Sequence, residues 1–287
     1  MAQRKRKKTK KESNLGSVFM TIILTCILIV LGRVASEEQI ENKDIPAVAY
    51  ADKLNAADDA EVEDNDNNKT KVLDVNQLDT DTYPESLIEL CKKNPETTEF
   101  VLDYPNHADD ENNYDEIDIS GEVKEGEIPL FIQWDSRWGY KKYGSDYMAF
   151  TGCGPTCLSM VYTGLTGETN MNPYEMAKKA QAEGFYVENV GTSWSIMTKM
   201  ATELGLVSRQ VTFKKERILQ LLQEGTPIIC IMGPGDFTDN GHFIVLTGVD
   251  SDGNIIVNDP NSKINSSKSW SVESIMSQTK NLWSFQI

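Results

Sequence analysis

The sequence predicts an α+β fold, on two observations. Between about Gly126 and Ile287 apolar residues first recur at helical spacing and later gather into short β-branched runs, without the regular alternation of a parallel α/β chain. The composition, 39% hydrophobic and 25% charged over 287 residues, allows one good-sized core with appendages.

The chain opens with a basic tail, residues 1–14, in which Arg4, Lys5, Arg6, Lys7, Lys8, Lys10 and Lys11 crowd together. An uncharged, largely apolar run follows from Leu15 to Gly32. About eighteen residues rise roughly 27 Å as a helix, near the lower limit for crossing a hydrocarbon core. Residues 15–32 are therefore expected to be a transmembrane signal anchor, with the basic tail cytoplasmic and everything beyond Arg33 outside the cell. Small residues at Val34-Ala35-Ser36 would suit a signal peptidase, but the run exceeds the roughly 7 to 15 residues of a cleaved signal's apolar region, so the retained anchor is preferred.

Residues 33–82 read as an acidic, disordered stalk. They are rich in Asp, Glu, Asn and Ala and poor in aromatics, and they cannot bury enough apolar surface to offset the entropy of ordering. The run Glu61 to Asn68 lacks the Gly and Glu spacings of an EF-hand, so a charged tether is preferred to a calcium site. Residues 83–125 form a helical extension, in which Leu87, Ile88, Leu90 and Cys91, then Phe100, Val101 and Leu102, predict two short helices broken at Asn94-Pro95.

Residues 126–287 are the main domain. Asn172-Pro173 opens a helix that Gly184 closes, Trp194 to Leu204 forms another ended by Gly205, and Glu216 to Glu224 a third ended by Gly225. Ile228 to Ile231, Phe243 to Leu246 and Asn254 to Val257 then read as buried strands, the last two joined in a hairpin through Ser251-Asp252-Gly253.

Charge and cysteine usage narrow the function. A net charge of −16 argues against nucleic acid as a partner, because phosphate binding is driven by clustered Lys and Arg and the only dense basic run is at the extreme N-terminus. Five cysteines at irregular spacings do not make a fully paired disulfide framework.

The most informative segment is Thr151 to Val161, which puts Cys153 just before a helix with Pro155 in its first turn. Unpaired N–H groups and the positive end of the helix dipole stabilise a thiolate there, and the same groups can hold an oxyanion. Gly152 and Gly154 are expected to let a substrate backbone come close, and Cys157, Leu158, Val161, Tyr162 and Leu165 to form the helix's buried face. The alternative is a small buried cysteine at a tight turn.

A thiolate nucleophile needs a base, and the chain holds two histidines. His107 lies beside Asp109, Asp110 and Glu111 and reads as a solvated surface residue. His242 follows the loop Gly233 to Gly241 and starts an apolar strand, which places it at the loop end of a rigid element. Asp259 ends the neighbouring strand, where a hairpin brings it beside His242 to fix the imidazole tautomer; otherwise it only starts the turn before Pro260.

Gly-Cys-Gly-Pro-Thr-Cys at 152–157, Gly-His-Phe-Ile-Val-Leu at 241–246 and Asn-Asp-Pro at 258–260 resemble the bacteriocin-processing, double-glycine-leader cysteine peptidases, more closely their stand-alone relatives. The resemblance covers about residues 126–287. It implies a papain-like fold with Cys153, His242 and Asp259 as the triad, and Gln133 in Pro129 to Asp135 as the oxyanion-hole side chain. In transporter-borne members that Gln lies only a short way before the Cys, unlike Gln133, and this chain carries no ATP-binding cassette. The double-glycine-leader substrate is accordingly not carried over.

The expected activity is hydrolysis of a peptide or related amide through an acyl-enzyme, with no cofactor. A rival zinc site of Cys153, Cys157, His242 and Asp259 has no second Cys or His pair to support it, and a Cys153–Cys157 disulfide is awkward within one helical turn. A catalytically inactive cell-surface binding module with the same fold is the alternative. Trp134, Trp138, Tyr140, Tyr143 and Trp194 could line a groove, although most are expected in the core.

Overall fold

The computed structural model describes residues 78–110 and 116–287. The basic tail, the Leu15–Gly32 run and nearly all of the acidic stalk lie outside the described residues, as does Cys26. Among the described residues no helix is long and apolar enough to cross a membrane.

The extension forms α1 (Glu85–Lys93), a 3-10 turn (Pro95–Thr97) and α2 (Thr98–Leu102). Pro95 cannot continue α1, and the Asn94 side chain caps the next turn by accepting from the Glu96 N–H. Leu87, Leu90, Cys91, Phe100 and Val101 pack with Ile132, Trp134, Tyr140, Tyr147 and Ala149, so the extension shares a core with the main domain. Phe100 stacks on Tyr140, with ring centroids 4.1 Å apart, and the Tyr140 hydroxyl donates to the Phe100 carbonyl at 2.6 Å.

The main domain begins with the short pair β1 (Lys142–Tyr143) and β2 (Asp146–Tyr147), then α3 (Met148–Thr151) and α4 (Cys153–Thr166). Next come α5 (Pro173–Ala182), the hairpin β3 (Tyr186–Val187) and β4 (Gly191–Thr192), α6 (Lys199–Glu203), β5 (Val207–Gln210) and α7 (Lys215–Gln223). The chain closes with β6 (Ile228–Met232), β7 (His242–Val249), β8 (Ile255–Asn258), α8 (Lys263–Ser266), β9 (Ser269–Trp270), α9 (Val272–Gln278) and β10 (Thr279–Gln286). Six strands form one antiparallel sheet in the order β5-β10-β6-β7-β8-β9.

Both faces of this sheet are covered, which explains why β6 is buried at every position. Successive side chains alternate between faces. Ile229, Ile231, Phe243 and Val245 join the core around α4, while Ile228, Cys230, Ile244 and Leu246 join the core around α7 and α9.

The predicted glycine stops of α5, α6 and α7 all hold, since Gly184, Gly205 and Gly225 take φ of 78°, 84° and 75°. Two expectations change. The helix expected over Trp194 to Leu204 divides into a 3-10 turn (Trp194–Met197) and α6, because the Ser208 hydroxyl takes the Met197 carbonyl that a continuous helix would use. α4 is also buried from Gly154 to Gly164 and not along one stripe, since the sheet packs on one side and residues 126–128 close over Gly164 on another.

Candidate active site

Local sequence and the sheet together set the site. Cys153 is the first residue of α4, half-buried, after a Gly152 that separates it from α3. Sequence reasoning did not anticipate α3, so Cys153 enters its helix from a helical turn and not from a loop. His242 is the first residue of β7 and 6% exposed, and Asp259 follows the end of β8 and is 1% exposed. The antiparallel register of β7 and β8, with Val245 opposite Asn258, carries Asp259 to the histidine. His242 Nε2 and Asp259 Oδ1 are 2.7 Å apart.

With Nε2 engaged by the carboxylate, Nδ1 is the ring nitrogen left for the Cys153 thiol, to which His242 hydrogen-bonds. Burial pushes the Cys153 thiol up. The His242 hydrogen bond and charge, with the N–H groups of Phe243 and Gly154, outweigh burial and bring the thiol below its ordinary value. Burial alone would pull His242 down, but the charge and hydrogen bond of Asp259, then Cys153, raise the imidazole to about 10. The two displacements agree in sense: each favours the charged form of its group.

The Asp259 carboxylate is itself held on both oxygens. Oδ1 also accepts from the Asn261 N–H at 2.9 Å, and Oδ2 accepts from Asn265 Nδ2 at 2.9 Å. Asn265 escaped sequence reasoning, because its contact arises only when the chain after Pro260 turns back toward Asp259 through the short helix α8.

The other described cysteines, Cys91, Cys157 and Cys230, are buried and form no disulfide. Burial lifts Cys157 well above the usual thiol value and takes Cys230 to about 12. Among the described residues no group of three or more His, Cys, Asp or Glu side chains is arranged to hold a metal ion.

The flanking glycines have a different reason from the one expected. A Cβ on Gly152 would come within 2.5 Å of the Met148 carbonyl oxygen, and one on Gly154 within 2.8 Å of the Thr192 side chain. They admit α3 and β4 to the head of α4; close approach of a substrate is not what excludes a side chain there. Thr192 also bonds the buried Tyr143 hydroxyl at 3.0 Å, tying β1 to this wall. Of the aromatic residues considered for a groove, Trp134, Trp138, Tyr140 and Tyr143 are buried, and Trp194 is half-buried against Trp283.

His107 also departs from expectation. It is only partly exposed, stacked 4.4 Å from Tyr140, with Nδ1 2.7 Å from Asp110 Oδ2 and Nε2 3.0 Å from Asp103 Oδ2. Burial lowers its pKa, the two carboxylates raise it, and the balance is upward.

With the geometry in view, a model of the Peptidase C39-like family matches residues 125–285, more than half of the chain. The chain belongs to the Peptidase C39-like family. Its mixed helix-and-sheet domain has the papain-like fold of that family. Among solved structures it is similar to the peptidase domain of Streptococcus ComA, a bi-functional ABC transporter involved in a quorum-sensing pathway. That similarity is 21% identity, covering 47% of this chain and 90% of that one, with a TM-score of 0.38. No curated protein matches.

In this C39-like chain Gln133 is 3% exposed, and its backbone N–H donates to the Pro260 carbonyl at 2.7 Å, next to Asp259. Its Nε2 donates to the Ala149 carbonyl, four residues before Cys153, at 2.7 Å. One hydrogen of that amide is thus committed to the scaffold and the second remains, while Oε1 has no hydrogen-bond partner among the described residues.

Proposed function

We propose that this protein is a membrane-anchored, extracytoplasmic cysteine peptidase or amide hydrolase, with Cys153, His242 and Asp259 as its triad and Gln133 in the oxyanion hole. The observation that carries this reading is the convergence of the downward-shifted Cys153 thiol and the upward-shifted His242 imidazole, with Asp259 2.7 Å from the far ring nitrogen. Family membership supports the same class of chemistry.

The Cys153 thiolate attacks the carbonyl carbon of a peptide or related amide, and its electrons move onto the carbonyl oxygen. The Cys153 N–H and the uncommitted Gln133 N–H receive that oxyanion. Imidazolium at His242 passes its proton to the leaving amine as the C–N bond breaks, leaving a thioester on Cys153. A water then attacks the thioester while His242 takes a proton from it, and release of the acid restores the ion pair. Asp259 keeps the ring oriented and stabilises its charged form.

Labelling with an electrophilic acyl probe on intact cells tests the reading. The probe should mark this protein, and Cys153→Ala should remove the mark. An unlabelled wild-type protein in which His242→Ala changes nothing puts the inactive binding module in front. Chelators should leave labelling unchanged; stoichiometric zinc whose removal unfolds the domain would sink the triad.

The anchor is supported by the order of basic tail, apolar run and acidic segment. Protease added to intact cells should release a fragment beginning between about Glu37 and Thr82. Protection until lysis would reverse the orientation, and a fragment in the medium without protease, starting near Glu37, would mark a cleaved signal.

A further inference from the structure

The carboxylate of Asp259 is oriented by donors that lie on the loop after it, Asn261 and Asn265. That loop is gripped from outside the segment matched by the family model, which begins at 125. Glu96, in the 3-10 turn of the extension, accepts from three donors there: the Ser262 hydroxyl on Oε1, and the Lys263 and Ile264 N–H groups on Oε2 at 2.8 and 3.1 Å. Asn94 donates through Nδ2 to the Asn261 carbonyl at 2.6 Å, and Trp134 Nε1 shares that carbonyl at 3.1 Å.

We propose that Glu96 and Asn94 are positioning residues for the peptidase site, acting through the 259–266 loop on the Asp259 carboxylate and so on His242. The inference rests on the triad reading above.

The physical path is short. Ser262 donates its hydroxyl to Glu96, its Oγ accepts from the Asn265 N–H at 2.9 Å, and its own N–H donates to the Asp259 carbonyl at 3.2 Å. Asn265 in turn holds Asp259 Oδ2. α8 spans only Lys263–Ser266, and a helix that short does not stand on its own hydrogen bonds. Two consecutive N–H groups in its first turn donate to one carboxylate oxygen, Glu96 Oε2, an arrangement stronger than a cap by a neutral side chain. Glu96 is held ready for this, because its own N–H is bonded to Asn94 Oδ1 at 3.1 Å.

Packing alone would make the extension a lid on the Trp134 and Tyr140 cluster with no bearing on chemistry. A carboxylate directed at the loop that carries the imidazole's partner does more. Loosening the loop lets Asp259 drift from Nε2, which lowers the imidazole's pKa and raises that of the thiol it supports.

The test is the pH profile of iodoacetamide alkylation at Cys153 in the full chain, read by peptide mass spectrometry. Glu96→Ala should move the thiolate limb up by about half a unit to one unit, making alkylation near pH 6 roughly three- to tenfold slower. Asn265→Ala should act in the same direction, and Glu96→Gln, which keeps the shape but not the charge, should fall between. Val101→Ala, which thins the extension's core but removes none of its hydrogen bonds to the loop, serves as the stability control and should leave the profile in place. If Glu96→Ala does not yield folded protein, Glu96→Gln and Asn94→Ala carry the comparison. A wild-type profile in the Glu96 variants overturns the proposal, and so does an equal shift in Val101→Ala. If wild-type Cys153 shows no thiolate near pH 6 and His242→Ala changes nothing, the triad reading itself has failed, and the proposal with it.

Discussion

The chain's two histidines each place a ring nitrogen 2.7 Å from an aspartate oxygen, and they stand in unlike surroundings. His242 is buried at the start of β7, with Asp259 on one nitrogen and a thiol facing the other. His107 sits in the extension, with Asp103 and Asp110 on its two ring nitrogens and Tyr140 stacked on its face. An imidazole–carboxylate pair is therefore no signature of catalysis by itself. What separates the two is a second ring nitrogen left free for a thiol, in a place where burial magnifies each charge.

The sharpest way to break this comparison is to remove each nucleophile or base in turn. Cys153→Ala should reduce hydrolysis of any substrate found to background, a loss of at least about a thousandfold. His242→Ala should slow alkylation of Cys153 near pH 6 at least about tenfold, because an unperturbed thiol near pKa 8.5 is almost wholly protonated there. His107→Ala, measured in the same assay, should leave the rate as it is; a comparable loss would mean that the distinction drawn from burial is wrong.

A smaller effect sharpens the role of the carboxylates. Asp259→Ala should lower the rate less than loss of Cys153, since it acts through imidazole orientation, and it should narrow the alkaline side of the profile as the imidazolium gives up its proton earlier. Cys157 and Cys230 should stay unlabelled in folded protein and react on denaturation, because burial lifts both thiols; equal labelling of all cysteines at pH 6 would falsify the selective thiolate.

The smallest effect concerns stability. His107 has a raised folded-state pKa, so its contribution is fully present below the unfolded value near 6.5 and is lost as pH rises through the folded value. His107→Ala should thus lower Tm by on the order of 1 to 3 °C near pH 6 and by less near pH 9. A pH-independent loss would assign the whole effect to stacking on Tyr140.

Several features were legible before any coordinates. A cysteine followed by Pro155 at a helix start, a histidine opening an apolar strand and an aspartate closing the next one are local patterns, each dictated by backbone chemistry within a few residues. The glycine stops, the break at Asn94-Pro95 and the fully apolar β6 are of the same kind. Where reading failed, the cause lay in residues far apart in sequence: the Ser208 hydroxyl that divides the 194–204 helix, the Thr192 side chain that demands glycine at 154, and the stacking of His107 on Tyr140.

By itself the sequence determined three strands of the main sheet, several helix starts and the identity of a thiol, an imidazole and a carboxylate that the fold could unite, because periodicity and capping act over a single turn or strand; it did not reveal β5, β9 and β10 of the same sheet. Only the tertiary structure decided which ring nitrogen meets which partner, that Asn265 holds the second Asp259 oxygen, and that Glu96 grips the same loop from 166 to 168 residues away. Hydrogen bonds of that reach leave no periodic trace in a chain, since the spacing between their partners is set by the path of the fold and not by the geometry of the backbone.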